Sequence, residues 1–511
     1  MPEYPLKAIS PAGIAPTGGR ISLRVEPAPG TLARGATIEA VPALESRLPQ
    51  VIDVEQLVDD QKIGWFNIWL FVWSFLTMFA DGYDIQAVGY AAPELIKHWH
   101  VSKADLNPMG TAGNIGVLFG APLMGWIGDR FGRKVAIVGG SVLYGLSTLA
   151  MVATHNLDQM FWLRVITGIG LGGLMANTIA LNSELSPKRL RATLVVLMFV
   201  GITFGSSMPG PVAAWFIPSY GWPVLFWVGG LAPLILAGAL FFALPESIKF
   251  LSRVPTRRPE LLKLARRIRP DLSIVDDARF VSATVREPGV GNPLALFKGG
   301  LAFITPLLWL CFCTVLMSNY FLNYWLPFLL QDSGLSLRET AVTTVLYHWG
   351  ACVGGILLAV LLDRFGFIAI AVLCAISVPA IVLMGQHGIS WTVLNIAATI
   401  AGFGILGAQF GNNASAGLIY PTSIRATGLG WAFGVGRFGS ILGPWVGGLL
   451  IARNAALPEV FKAAAVPMLV CVIAAFILTR LCYTRYGSLR LDDVPAVLPS
   501  PPPAAEAARQ A

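Results

Sequence analysis

Asp129-Arg130-Phe131-Gly132 separates two apolar runs, and the same four residues return between two others as Asp363-Arg364-Phe365-Gly366, 234 residues later. A second match keeps that spacing: Pro187-x-x-x-Arg191-Ala192-Thr193 returns as Pro421-x-x-x-Arg425-Ala426-Thr427. Two independent matches at one offset indicate a duplicated unit. A bilayer core takes about 20 apolar residues as helix. Runs of that kind cover 65–92, 108–127, 135–154, 159–182, 192–217 and 222–244, then 300–330, 341–362, 367–385, 391–411, 428–451 and 463–482. The chain therefore reads as all-α and integral to a membrane, with twelve transmembrane helices in two six-helix bundles arranged as parallel repeats. Repeats of this kind rock around a site at the midplane.

Composition agrees. Of 511 residues, 55% are hydrophobic and 13% charged, against about 25% charged in a soluble protein. Mean hydropathy is +0.67. The 54 glycines suit close helix contacts in lipid. The formal charge of +8 does not point to nucleic acid, because the basic residues lie between apolar runs. The loop after the second run holds Arg130, Arg133 and Lys134, and that after the fourth holds Lys188, Arg189 and Arg191. The loops after the third and fifth hold no Lys or Arg. Basic loops mark the cytoplasmic side, which puts both termini there.

The domain reading is a disordered cytoplasmic tail over 1–62, a bundle over 63–247, a basic cytoplasmic loop over 248–298, a second bundle over 299–484 and a Pro-rich tail over 485–511. Within the central loop, Leu261, Leu262, Leu264 and Ile268 alternate with Lys263, Arg266, Arg267 and Arg269. This is a short basic amphipathic helix, suited either to the inner membrane surface or to solvent. Cys311, Cys313, Cys352, Cys374, Cys471 and Cys482 all sit in apolar stretches, without CxxC or Cys/His metal spacing. They read as small apolar residues. No metal or cofactor is expected.

The repeat sorts charges. Those in both copies belong to scaffold or gate, and those in one copy to function. Asp81 aligns with Val315, Asp84 with Ser318, Arg164 with Ala398 and Glu184 with Leu418; His348 aligns with Asn114 and Arg437 with Thr203. Asp81 and Asp84 share a helix face with Ser74 and Thr77, and carboxylates cannot face lipid cheaply. Two buried carboxylates so close do not both hold charge easily, so one is suited to take up a proton near neutral pH. Arg164 can hold an anionic substrate or neutralise an Asp of the first run. Arg437, set among glycines in Gly434-Val435-Gly436-Arg437-Phe438-Gly439, can hold a carboxylate through its planar fork. His348 can titrate or donate a hydrogen bond, or can be an ordinary core residue. Tyr324 and Trp325 can stack on a ring, as can Tyr83, Tyr320 and Trp349. Asp129, Arg130, Arg133, Glu184, Arg191, Asp363, Arg364 and Arg425 cluster at the basic ends of the runs and read as gating residues.

The fuller first copy, Gly125-x-x-Gly128-Asp129-Arg130-Phe131-Gly132-Arg133-Lys134, resembles the cytoplasmic loop signature of the major facilitator superfamily. Within it, the chain resembles the bacterial aromatic acid:proton symporters, on Asp81-Gly82-Tyr83-Asp84, Gly168-x-Gly170-x-Gly172-Gly173, Leu244-Pro245-Glu246-Ser247, Tyr420-Pro421-Thr422-x-x-Arg425-Ala426-Thr427-Gly428 and Gly443-Pro444-x-x-Gly447-Gly448. The likeness covers roughly 62–482. It implies a monomeric carrier in the bacterial inner membrane that imports a small organic acid anion, 4-hydroxybenzoate-like, with a proton. It also implies proton coupling at Asp81 and Asp84, and functional roles for Arg164, Glu184, Arg425 and Arg437. His348 matches only by region. Three alternatives stay open: a carrier of another acid or a sugar, an exporter, and a non-transporting membrane receptor or enzyme. The exporter reading draws on Gly439-x-x-x-Gly443-Pro444, which is similar to a drug:proton antiporter signature that belongs in helix five and here falls in helix eleven. No catalytic triad, metal cluster or phosphate loop stands out, so an enzyme is not expected.

Overall fold

The computed structural model describes residues 50–281, 293–298, 301–420 and 424–486. Among them are twelve long helices: α1 (Trp65–Trp99), α2 (Asn107–Phe131), α3 (Arg133–Ala150), α4 (Leu157–Leu185), α5 (Lys188–Ser207, continued past Met208 by Pro209–Tyr220), α6 (Pro223–Ala243), α7 (Leu301–Asp332), α8 (Leu337–Phe365), α9 (Phe367–Met384), α10 (Trp391–Ile419), α11 (Arg425–Ala452) and α12 (Leu457–Tyr486). Ten of the spans are long and apolar enough to cross a membrane by length and composition. The other two are α1 and α2, whose polar residues face inward: Asp81, Asp84 and Asn114 are all buried.

The duplication is visible in the packing. In the first half α1 lies on α5, α2 on α4 and α3 on α6; in the second, α7 lies on α11, α8 on α10 and α9 on α12. Glycines at the repeat spacing make this approach possible. A Cβ on Gly120 would stand 2.4 Å from the Ile169 carbonyl, and one on Gly354 2.0 Å from that of Phe403. Likewise Gly205 meets the Phe79 carbonyl and Gly439 that of Cys313, each at 1.9 Å. In lipid, where apolar burial gives helices no net attraction, such backbone contact supplies the packing. Gly439 and Gly443 belong to the surface that α11 presents to α7. All six cysteines are free.

The repeated Asp-Arg-Phe-Gly segments are tight helix–helix turns. Gly132 (φ 111°) and Gly366 (φ 55°) take the left-handed backbone that ends one helix and starts the next. Gly132 is further confined, because a Cβ there would lie 2.1 Å from Glu246 Oε2. Glu246, buried, accepts from the Lys134 amide (3.1 Å) and the Ser247 amide (2.9 Å) and pairs with Arg257 at 3.7 Å. It caps the amino end of α3. Burial holds its carboxyl above the ordinary range against the opposing pull of these donors. Gly132→Ala is expected to cost about 1–3 kcal/mol, from the backbone strain and the displaced carboxylate. Thermal unfolding in detergent checks this; an unchanged midpoint would rule out the cap.

The expected tail over 1–62 needs correction at its end. Val51–Asp53 pairs in parallel with Arg279–Val281 of the central segment, and Val54–Asp59 forms a helix capped by Asp53, which accepts from the Glu55 and Gln56 amides. Ile52, Val54, Leu57 and Val58 pack on Leu261, Leu264 and Ile268 of the Arg258–Ile268 helix, together with Leu181, Leu185, Leu240 and Leu244 at the bundle end. That basic helix therefore covers protein, and its apolar face is turned neither to membrane nor to solvent. Lys188–Asp59 (2.7 Å) and Lys249–Glu55 (3.0 Å) pin the segment down. A strand of three residues and a helix of six are too short to show periodicity, so the sequence pattern passed over them.

Candidate functional site

The two halves enclose a cavity of about 120 Å³. It is lined by Asp81 and Asp84 of α1, Asn114 of α2, Arg164 and Met175 of α4, Phe199 and Thr203 of α5, Asn319, Tyr320, Asn323 and Tyr324 of α7, Gln409, Phe410 and Asn413 of α10, and Phe433 and Arg437 of α11.

The two aspartates have different surroundings. Arg164 Nη1 donates to both oxygens of Asp84, at 2.6 and 2.7 Å, and both residues are buried. Arg164 thus neutralises an Asp of α1 and also lines the cavity. Asp81 lines the cavity and accepts no hydrogen bond among the described residues. Arg437 donates to Tyr320 Oη at 3.4 Å and touches Met175 Sδ at 3.7 Å, with no ion-pair partner among the described residues. The site thus holds one closed ion pair, one open carboxylate and one open guanidinium.

The other expected contacts divide. Tyr324 lines the cavity, but its hydroxyl donates to the Leu106 carbonyl at 3.4 Å. Trp325 is core: its indole donates to the Pro444 carbonyl at 2.8 Å and its ring fills the space over Gly447. His348 is buried off the cavity, its ring 5.2 Å from that of Tyr347 and both nitrogens without partners. Neither Trp325 nor His348 lines the cavity here. A helix turns by about 100° per residue, so spacing from an uncertain helix start does not decide which face a lone side chain takes. Tyr83 reaches the Leu225 carbonyl (3.2 Å) behind the site, and Trp349 is exposed on the outer surface of the bundle.

Sequence reasoning missed an amide chain. Gln86 Nε2 donates to Asn323 Oδ1 (3.2 Å), Asn323 Nδ2 to Asn319 Oδ1 (2.6 Å) and Asn319 Nδ2 to Gln409 Oε1 (3.2 Å). The signal was present as neutral polar residues inside apolar runs, where an uncharged amide stands out less than a charge. Gln86 belongs to one half and the rest to the other. Toward the same face, Tyr90 bonds Thr344, Asn114 donates to the Ser440 carbonyl (3.0 Å) and Lys103 pairs with Asp332 (2.6 Å). The halves are joined on this face. On the basic side of the cavity stand Phe199 and Phe410, their rings 5.7 Å apart.

Of the residues read as gating, Arg133 bonds Asp129 (2.6 Å), Glu184 (3.5 Å) and Asn177 (3.1 Å), and Glu184 bonds Ser247. This network lies within one half. Arg130 and Arg364 stand over Phe131 and Phe365, at 6.0 and 5.5 Å. The side chains of Arg191, Asp363 and Arg425 lie outside the described residues.

A cavity between two repeated six-helix bundles, with an open cation and an open acid, is the architecture of a carrier. The Major Facilitator Superfamily model matches residues 74–411 and 308–490. The chain belongs to the major facilitator superfamily. Relatives within it include transporters of aromatic acids. It is 33% identical over 442 residues to the 4-hydroxybenzoate transporter PcaK of Acinetobacter baylyi, covering 85% of this chain and 95% of that one. It is 34% identical over 453 residues to the gallate transporter of Pseudomonas putida, covering 87% and 97%. Among solved structures, the inward open conformation of the xylose transporter XylE from E. coli superposes with a TM-score of 0.63 at 16% identity, covering 85% of this chain and all of that one. At that identity the likeness speaks for the fold alone. The superfamily consists of multi-pass membrane transporters rather than enzymes.

Proposed function

We propose that this chain imports a small aromatic carboxylate together with a proton, by alternating access around the cavity described above. The observation that carries the reading is the pair of open charges: Arg437 without an acidic partner and Asp81 without a donor, lining one cavity. An anion entering meets Arg437 and Tyr320, while Phe199, Phe410 and Phe433 offer ring-sized apolar walls. Asp81 is the proton carrier. When it is charged, it competes with the substrate carboxylate for the field of Arg437; once it is protonated, Arg437 is free for the anion. Each ligand then favours the other, and the coupling is reciprocal. The relatives that carry 4-hydroxybenzoate and gallate support the substrate class.

By the charge rule the basic face is cytoplasmic, both termini lie there, and the membrane is the bacterial inner membrane. The face joined by Gln86–Asn323, Asn114–Ser440 and Lys103–Asp332 is then the outer one, and the described form is closed to the outside. Those contacts part when the halves rock. The chain works as a monomer, since each half supplies part of one site. Asp129, Arg133 and Glu184 stiffen the cytoplasmic end of the first half during the movement.

The test is uptake of labelled 4-hydroxybenzoate into proteoliposomes of the purified protein, with and without an inward proton gradient. Accumulation above equilibrium only with the gradient is expected. No uptake beyond protein-free vesicles by an intact preparation would sink the reading. Arg437→Lys is expected to raise the half-saturating concentration about tenfold, because the planar fork is lost while the charge remains; unchanged kinetics would reduce Arg437 to a structural role.

A further inference from the structure

Gln409 and Asn413 lie four residues apart on α10, so both project from one face, and both line the cavity. The amide chain fixes how Gln409 is turned. Its Oε1 accepts from Asn319 Nδ2, whose own Oδ1 is taken by Asn323, whose Oδ1 is taken by Gln86. With the carbonyls of Asn323, Asn319 and Gln409 engaged, the amide nitrogen of Gln409 is the unused end of the chain, on a residue that lines the cavity. One turn along, Asn413 Oδ1 is buried and accepts nothing. A buried carbonyl left so costs about as much as a lost hydrogen bond, and a ligand that satisfies it gains the difference. Two lining residues one helical turn apart therefore carry an unused donor and an unsatisfied acceptor, on a different helix from Arg437.

A ring hydroxyl is a small substituent that both donates and accepts. We infer that Gln409 and Asn413 read a ring hydroxyl of the substrate, and make this a carrier of hydroxylated aromatic acids in preference to unsubstituted ones. The inference rests on the reading of the cavity as an aromatic-acid site with Arg437 at the carboxylate. A site built to bond a hydroxyl leaves its own polar groups unpaired when an analogue lacks one, and rejects that analogue strongly.

The test is titration calorimetry on the full-length protein in detergent, with benzoate, 3-hydroxybenzoate, 4-hydroxybenzoate and 4-methylbenzoate as probes. Wild type is expected to bind one hydroxybenzoate at least tenfold more tightly than benzoate or 4-methylbenzoate. Asn413→Leu, close in volume, is expected to erase that preference by weakening the hydroxybenzoate while leaving benzoate within about twofold. Asn413→Ser gives the same comparison with a smaller change should the leucine variant fold poorly. Equal binding of all four probes by wild type would overturn the hydroxyl reading and leave the aromatic-acid site standing. So would a parallel loss for benzoate and hydroxybenzoate in both variants. Binding of none of the probes by folded wild type would overturn both.

Discussion

Asp81→Asn is expected to bring the accumulation ratio of a carried acid down to one in proteoliposomes, with counterflow of labelled for unlabelled acid preserved. The argument is geometric. Asp81 lines the cavity with no hydrogen-bond donor on it, so the amide replaces a carboxylate that makes no structural bond and packing is unchanged. What is lost is the proton. An asparagine mimics the protonated acid permanently, so Arg437 stays available to the anion and exchange continues, while the gradient has nothing to act on. Accumulation at the wild-type level would show that the coupling proton is carried elsewhere. Loss of counterflow as well would show that Asp81 is needed for binding or movement rather than for coupling.

Asp84→Asn is expected to behave differently, and to fail more completely. The Asp84 carboxylate takes both of its bonds from Arg164 Nη1, and Arg164 Nε has no partner. Removing the charge strands a buried guanidinium, which costs about 3–5 kcal/mol. Lower thermal stability in detergent and loss of both accumulation and counterflow should follow. The double variant Asp84→Asn, Arg164→Gln is the deciding measurement. Taking away both charges removes the stranded cation, so stability should recover even if transport does not. If the double variant is no more stable than Asp84→Asn, the pair is not what holds α1 against α4.

The aspartates illustrate where one-dimensional reasoning stops. Spacing put Asp81 and Asp84 on one face, and hydrophobicity put that face indoors. Both statements survive. Whether each carboxylate was an ion-pair partner or a free acid depended on where Arg164, eighty residues away from Asp84, delivers its guanidinium. The same holds for Arg437, whose open state is defined by the absence of a neighbour. Among the described residues no carboxylate pairs with it, and Asp84 is already engaged by Arg164. His348 and Trp325 lie off the cavity for a related reason: a polar or aromatic residue in a membrane helix can face the packed core as well as a cavity.

The amide chain and the cap were harder. Gln86, Asn319, Asn323 and Gln409 carry no charge, so a search for costly residues in lipid passes them by, though a buried amide without partners is costly too. The Val51–Asp59 segment became structure only through Leu261, Leu264 and Ile268, two hundred residues downstream. Its own periodicity spans too few residues to register.

Helix number, helix position and the two-fold repeat were determined by the chain itself, because lipid enforces them locally: an apolar run of sufficient length must become a helix, and duplicated runs must pack in duplicate. The glycines at the repeat spacing wrote the helix contacts into the sequence as well. The identity of the open charges, the direction of the amide chain and the face on which the halves are joined were decided only in three dimensions. Each is a matter of which polar groups meet, and in a low-dielectric interior a displacement of a few ångströms separates a satisfied group from one that waits for a ligand.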